Sequence, residues 1–230
     1  MRRLLLHISA LCLALAALPS GQSPGTGRVA GRVTLTARLP GRPLPSSAYP
    51  RRAIGDHDAP PLPQIRNVVV FIKDADYSGL LTTSRTAIRQ EHETFVPRTV
   101  AITRGSTVEF PNGDPFFHNV FSLSRAANFN LGRFKRGQSR GRQFTKAGTV
   151  KVYCDIHSHM SATILVFDHP YFTIPEPDGS FELPAVPPGL YTLVGWHERV
   201  GERIETIRVE AGKTASVDLT VPVPEEEVVP

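Results

Sequence analysis

Apolar and polar positions in this chain alternate in short runs. In residues 149–154, Val150, Val152 and Cys154 fall on one face of an extended segment and Lys151 on the other. The same period of two recurs along the chain and predicts strands over residues 28–37, 67–73, 99–103, 107–110, 117–123, 149–154, 163–167, 180–183, 191–197, 205–210 and 215–221. No stretch carries the 3.6-residue period of an amphipathic helix. Turn signals separate the runs: Arg104-Gly105-Ser106, Asn112-Gly113-Asp114-Pro115, Lys146-Ala147-Gly148, Pro177-Asp178-Gly179, Pro187-Pro188-Gly189 and Ala211-Gly212-Lys213. Each supplies a residue that accepts positive φ or fixes φ near −65°. The expectation is an all-β protein of sandwich type. Residues 40–63, rich in Pro and Arg, read as a loop, and the Pro/Glu-rich end at 223–230 as a frayed acidic tail.

Composition adjusts this picture at the ends. The chain of 230 residues opens Met1-Arg2-Arg3, runs apolar from Leu4 to Leu18 and breaks at Pro19-Ser20-Gly21. Residues 1–21 therefore read as a signal peptide, which implies export to a periplasmic or extracellular space. The apolar run is short for a membrane span, and no integral span is expected in the mature chain. Cys12 lies inside the run without the small preceding residue of a lipoprotein box. The formal net charge of +5 falls to about +3 once Arg2 and Arg3 leave, too mild to argue for nucleic acid.

Of two cysteines and two methionines, Cys12 and Met1 fall in the leader. An exported chain with the single cysteine Cys154 forms no internal disulfide, so that thiol is a metal ligand, a reactive group or a core residue. Its surroundings favour the first. The segment Cys154-Asp155-Ile156-His157-Ser158-His159-Met160 puts a thiolate, an imidazole and a thioether around one turn. Two imidazoles, one thiolate and a weak axial thioether are what a mononuclear blue-copper site needs. The best donor of the missing imidazole is His118, in phase with Val120 at the start of a predicted strand. Singly, each residue has a plainer reading: a small buried hydrophobe for Cys154, core filler for Met160, a hydrogen-bonded histidine for His118 or His157. His57, His92, His169 and His197 are scattered and read as structural or surface residues.

The segments Phe95-Val96-Pro97, Gly105-Ser106-Thr107-Val108-Glu109-Phe110-Pro111-Asn112, His118-Asn119-Val120 and Gly148-Thr149-Val150-Lys151-Val152-Tyr153-Cys154 occur in the order of the cupredoxin family, and residues 89–168 resemble plastocyanin and amicyanin. The resemblance implies a Greek-key β-sandwich with one type 1 copper ion held by His118, Cys154, His157 and Met160. It also implies that Asn119 supports the cysteine loop by hydrogen bonding. Two departures stand out. Ile156 and Ser158 flank His157 where the family often has proline, and His159 is an extra imidazole, expected to face solvent or a partner.

Asp178-Gly179-Ser180-Phe181-Glu182-Leu183 followed by Pro188-Gly189-Leu190-Tyr191-Thr192-Leu193 resembles the carboxypeptidase regulatory-like module, a small transthyretin-like β-sandwich. The opening strands that this module should have resemble Val29-Ala30-Gly31-Arg32-Val33 and residues 68–72. The expected layout is a module split in two, at 26–75 and 169–222, with the copper domain at 86–168 inserted between the halves.

The favoured function is one-electron transfer with a redox partner protein of unknown identity. The alternative is a copper-binding or structural protein in which copper transfers no electrons. Enzymatic activity is not expected: the histidine clusters of a multicopper oxidase and the second cysteine of a binuclear site are both missing. The basic run Arg133–Arg142 reads as an edge strand kept from pairing by charge, with a docking patch for an acidic partner as its rival.

Overall fold

The computed structural model describes residues 25–35 and 64–221. The segments read above as a leader (1–21), a loop (40–63, with His57) and an acidic tail (223–230) lie outside the described residues. Two strands come first, β1 (Gly27–Leu35) and β2 (Val68–Ile72), with a single 3-10 turn at Gln64–Asn67. Then follow β3 (Arg85–Ala87), β4 (Arg89–Glu91), β5 (Thr94–Val96), β6 (Thr99–Thr103), β7 (Thr107–Pro111), β8 (His118–Ser124), β9 (Ala127–Phe134), β10 (Ser139–Gln143), β11 (Gly148–Tyr153) and β12 (Ser161–Phe167). The last are β13 (Phe172–Thr173), β14 (Ser180–Val186), β15 (Gly189–His197), β16 (Gly201–Val209) and β17 (Thr214–Val221). The fold is all-β, with no α-helix among the described residues.

The strands close around two separate apolar cores. One is split in sequence. The sheet β14-β1-β17 faces the sheet β13-β2-β15-β16, and Val29, Val33, Val70, Ile72, Leu183, Leu193 and Leu219 fill the space between. The opening strand thus belongs with the C-terminal strands: Val29 sits opposite Leu183 on β14 and, in parallel register, beside Ala215 on β17. A Cβ on Gly31 would lie 1.7 Å from the Val217 carbonyl oxygen, so only glycine lets β1 and β17 approach this closely.

The other sandwich is contiguous. The sheet β6-β12-β11-β8-β9 packs against β10-β7-β3 through Phe95, Phe110, Phe134, Phe144, Val150, Val152 and Ile164. The period-two reading of β11 is realised here, with Val150 and Val152 fully buried and Lys151 on the opposite face. Strand β12 is buried on both faces, which its near-continuous apolar run Ala162–Phe167 requires. The two sandwiches meet at its end. Phe167 packs against Phe71 of β2 at 5.0 Å between ring centroids and stacks on Phe172 at 4.6 Å. Lys151 reaches Glu198 across the same seam.

Several strands were not expected from the sequence: β3, β4, β5, β9 and β13. The pair β4–β5 forms a small separate hairpin. Strand β10 is a sheet edge with all five residues exposed, in line with a charged edge.

Candidate metal centre

Strand β8 begins at His118 and β11 ends just before Cys154, and these neighbouring strands run antiparallel. Both residues therefore arrive at the same pole of the contiguous sandwich. The loop from Cys154 to Met160 then folds back over the pole, closed by the Met160 N–H donating to the His157 carbonyl at 3.0 Å. Strand β12 starts at the next residue and fixes both ends of the loop.

Three groups converge there. The Nδ1 atoms of His118 and His157 are 3.0 Å apart, and the Cys154 sulfur lies 3.8 Å from the first and 3.9 Å from the second. Ligating atoms of all three fall within 4.8 Å of one another. His118 is fully buried, His157 is 5% exposed and Cys154 4%. Met160, 1% exposed, belongs to the same apolar cluster as Cys154. Two ring nitrogens and one sulfur pointing at a common centre suit a metal with bonds of about 2.0 Å to imidazole and 2.3 Å to thiolate. Two imidazoles and one thiolate with a thioether close in sequence fit copper better than zinc, because that His2Cys set with a weak thioether is the blue-copper arrangement.

Asp114 orients the first histidine. Its carboxylate accepts from His118 Nε2 at 2.7 Å and from the backbone N–H groups of His92 at 2.7 Å and Glu93 at 2.9 Å. The proton held at Nε2 leaves Nδ1 to face the cluster. Burial would raise the Asp114 pKa, but these donors outweigh it and hold the carboxyl below its ordinary value. Burial would likewise lower the His118 pKa, yet the Asp114 and Cys154 hydrogen bonds push it up to about 9. Cys154 goes down despite its burial, because His118 and the backbone amides of Asn119, His157 and Ile156 favour the thiolate. His157 is lowered by burial.

Asn119 joins the strand to the cysteine loop. Its Oδ1 accepts the Asp155 N–H at 3.3 Å, while its Nδ2 donates to Asn130 Oδ1 at 2.8 Å. Phe116 packs edge-on against His118 and tilted against His157, so apolar surface borders the cluster.

The expectation for His159 needs correction. It does not face solvent: its side chain is 14% exposed, and its Nε2 lies 3.0 Å from the Glu93 carbonyl oxygen and 3.6 Å from the Glu93 carboxylate. The β4–β5 hairpin covers the pole at this point and takes the imidazole. Sequence reasoning missed two residues at the site, Asp114 and Glu93. Asp114 was visible only as part of a turn signal, four residues before His118. Glu93 gave no signal, since it reaches the pole through the hairpin turn. Of the scattered histidines, His92 lies in that turn, and His169 and His197 are buried away from the cluster.

No family model and no curated protein matches this chain. Among solved structures, a Cu(I) mutant of amicyanin is similar at 21% identity, covering 35% of this chain and 80% of that one, with a TM-score of 0.34. A reduced mutant of amicyanin matches at 23% identity over the same shares, with a TM-score of 0.34. A copper-containing nitrite reductase from Thermus scotoductus SA-01 matches at 24% identity, covering 42% of this chain and 24% of that one, with a TM-score of 0.35.

Proposed function

We propose that this chain is an exported type 1 copper protein that transfers one electron at a time. The observation that carries the reading is the buried convergence of two Nδ1 atoms and one thiolate sulfur on a common centre. In it His118, Cys154 and His157 would hold the copper most tightly, Met160 would add a weaker thioether bond, and Asn119 supports the loop by hydrogen bonding. Bound there, copper would alternate between Cu(II) and Cu(I), exchanging its electron with a redox partner protein. The chain's own part is to hold the ligand positions nearly constant through that change. Burial of all four side chains, the Asp114 clamp on His118 and the Asn119 bond to the loop serve this. Phe117, more than half exposed beside the ligand-bearing strand, offers a partner an apolar contact at the same pole.

The split sandwich, in this proposal, is a carboxypeptidase regulatory-like module that carries the copper domain as an insert. Support comes from the pairing of β1 with β14 and β17 rather than with any strand of the contiguous sandwich.

Titration of the metal-free protein with copper(II) tests the function. One equivalent should give an intense blue absorption from the thiolate, and Cys154→Ser should remove it. A colourless wild-type complex sinks the electron-transfer reading and leaves copper binding without electron transfer.

A further inference from the structure

A buried carboxylate stands behind each histidine of the cluster, on the side away from the common centre. Asp114 Oδ2 lies 2.7 Å from His118 Nε2. Glu93 Oε1 lies 3.8 Å from His157 Nε2 and its other oxygen 3.6 Å from His159 Nε2. Asp114 is 6% exposed and Glu93 9%, unusual for acidic residues, which are rarely so buried without a partner.

The two are also mechanically joined. The β4–β5 hairpin turns at His92 and Glu93, both with positive φ, at 53° and 55°. The Asp114 carboxylate accepts both of their backbone N–H groups. The group that orients His118 therefore also pins the turn that presents Glu93 to His157. Loss of the hairpin would uncover His157 and remove the second charge together.

We propose that Glu93 and Asp114 are positioning residues that set the redox preference of the site, their two negative charges biasing it toward the higher oxidation state of its metal. This rests on the copper reading above. With a thiolate ligand, a Cu(II) centre carries one net positive charge and a Cu(I) centre none. Fixed negative charge nearby stabilises the former more. Because both carboxylates are buried, salt screens them far less than surface charges. Their effect passes through the imidazoles, and Asp114 also holds His118 in one tautomer and orientation.

Glu93→Gln in the full, copper-loaded protein decides the matter. The Glu93 carboxylate lies against His157 and His159, and the carbonyl that meets His159 is kept. The blue spectrum should persist. The Cu(I):Cu(II) ratio at a fixed poise, followed by mediated redox titration, should rise about tenfold, or 59 mV for a one-electron couple. The shift should survive 1 M salt, where the screening length is about 3 Å. Glu93→Asp, which keeps the charge, should stay nearer the wild type. Asp114→Asn should shift the potential the same way. A blue wild type with an unshifted Glu93→Gln overturns this proposal alone, as does a Glu93→Gln protein that loses its colour. A colourless wild type overturns the copper reading and this proposal with it.

Discussion

Two sandwiches of similar construction lie side by side in this protein and treat buried histidine in opposite ways. On the split side, His169 and His197 are held singly. Each Nδ1 accepts one backbone N–H at 3.2 Å, from Tyr171 and from Arg199. Burial pushes both pKa values down and favours the neutral rings. At the pole of the contiguous sandwich, His118 and His157 meet each other, a sulfur and two carboxylates. There His118 goes up to about 9. The sheets are equally apolar within, so the core does not make the difference. The loops at one pole do: they bring ionisable groups to a single point, whereas the split sandwich spreads them out. Function sits on the fold rather than in it.

Core truncations should break this comparison most forcefully. Phe95 and Leu193 are fully buried, one in each core. Phe95→Ala should cost about 3–5 kcal/mol and Leu193→Ala about 2–5 kcal/mol. Denaturant unfolding followed by near-ultraviolet signal and by the copper band separates them. Phe95→Ala should lower the midpoint of the copper band. Leu193→Ala should leave the band unchanged below its own transition. If Leu193→Ala moves the copper midpoint by the full amount, the sandwiches unfold as one unit and the contrast between them is only geometric.

A pH series sharpens the contrast on the split side. His197 is 1% exposed, and its Nε2 has no hydrogen-bond partner. Its folded pKa lies below the ordinary value of 6.5. The unfolded chain therefore takes up a proton on His197 first as pH falls. The stabilisation is fully present above pH about 6.5 and is lost as pH drops below it toward the folded pKa. Wild-type urea midpoints should fall between pH 7.5 and 5.5. His197→Asn keeps an acceptor in place of Nδ1 but cannot titrate, and should fall less. An equal fall in both proteins would move the acid sensitivity elsewhere.

The parts of the site that were legible in the sequence share one property: they sit on regular strands or beside a rare residue. Cys154 and Met160 stood out because each is the sole residue of its kind after residue 21, and His118 because Val120 gave its phase. Two turns of the split sandwich were readable because Asp178-Gly179 and Pro188-Gly189 mark them, and Gly179 does adopt positive φ, at 86°. The β4–β5 hairpin was not. Its strands have three residues each, too few to show a period. Its turn places His92 and Glu93 where Asn-Gly is the usual signal, and Asp114, 21 residues away from Glu93, holds that turn. No local reading can find a turn stabilised from so far along the chain. Strand β10 was legible by charge alone: all five residues are exposed, so apolar alternation is absent and only the basic run marked an edge.

His159 offers the gentlest test and the finest distinction. It is the third imidazole at the pole, yet it lies outside the group of His118, Cys154 and His157 whose ligating atoms converge. Its Nε2 is turned to the Glu93 carbonyl, away from a ligand role. His159→Ala should therefore leave the blue band in place. It should cost about 0.5–1.5 kcal/mol, the worth of one such hydrogen bond, read as a small drop in the denaturant midpoint. Because the lost bond holds the hairpin that carries Glu93, the potential should move slightly in the direction of Glu93→Gln and by much less. A large spectral change would make His159 a ligand and undo the division between converging and supporting histidines. An unchanged midpoint would mean that Asp114 alone pins the hairpin, through its two backbone hydrogen bonds at 2.7 and 2.9 Å.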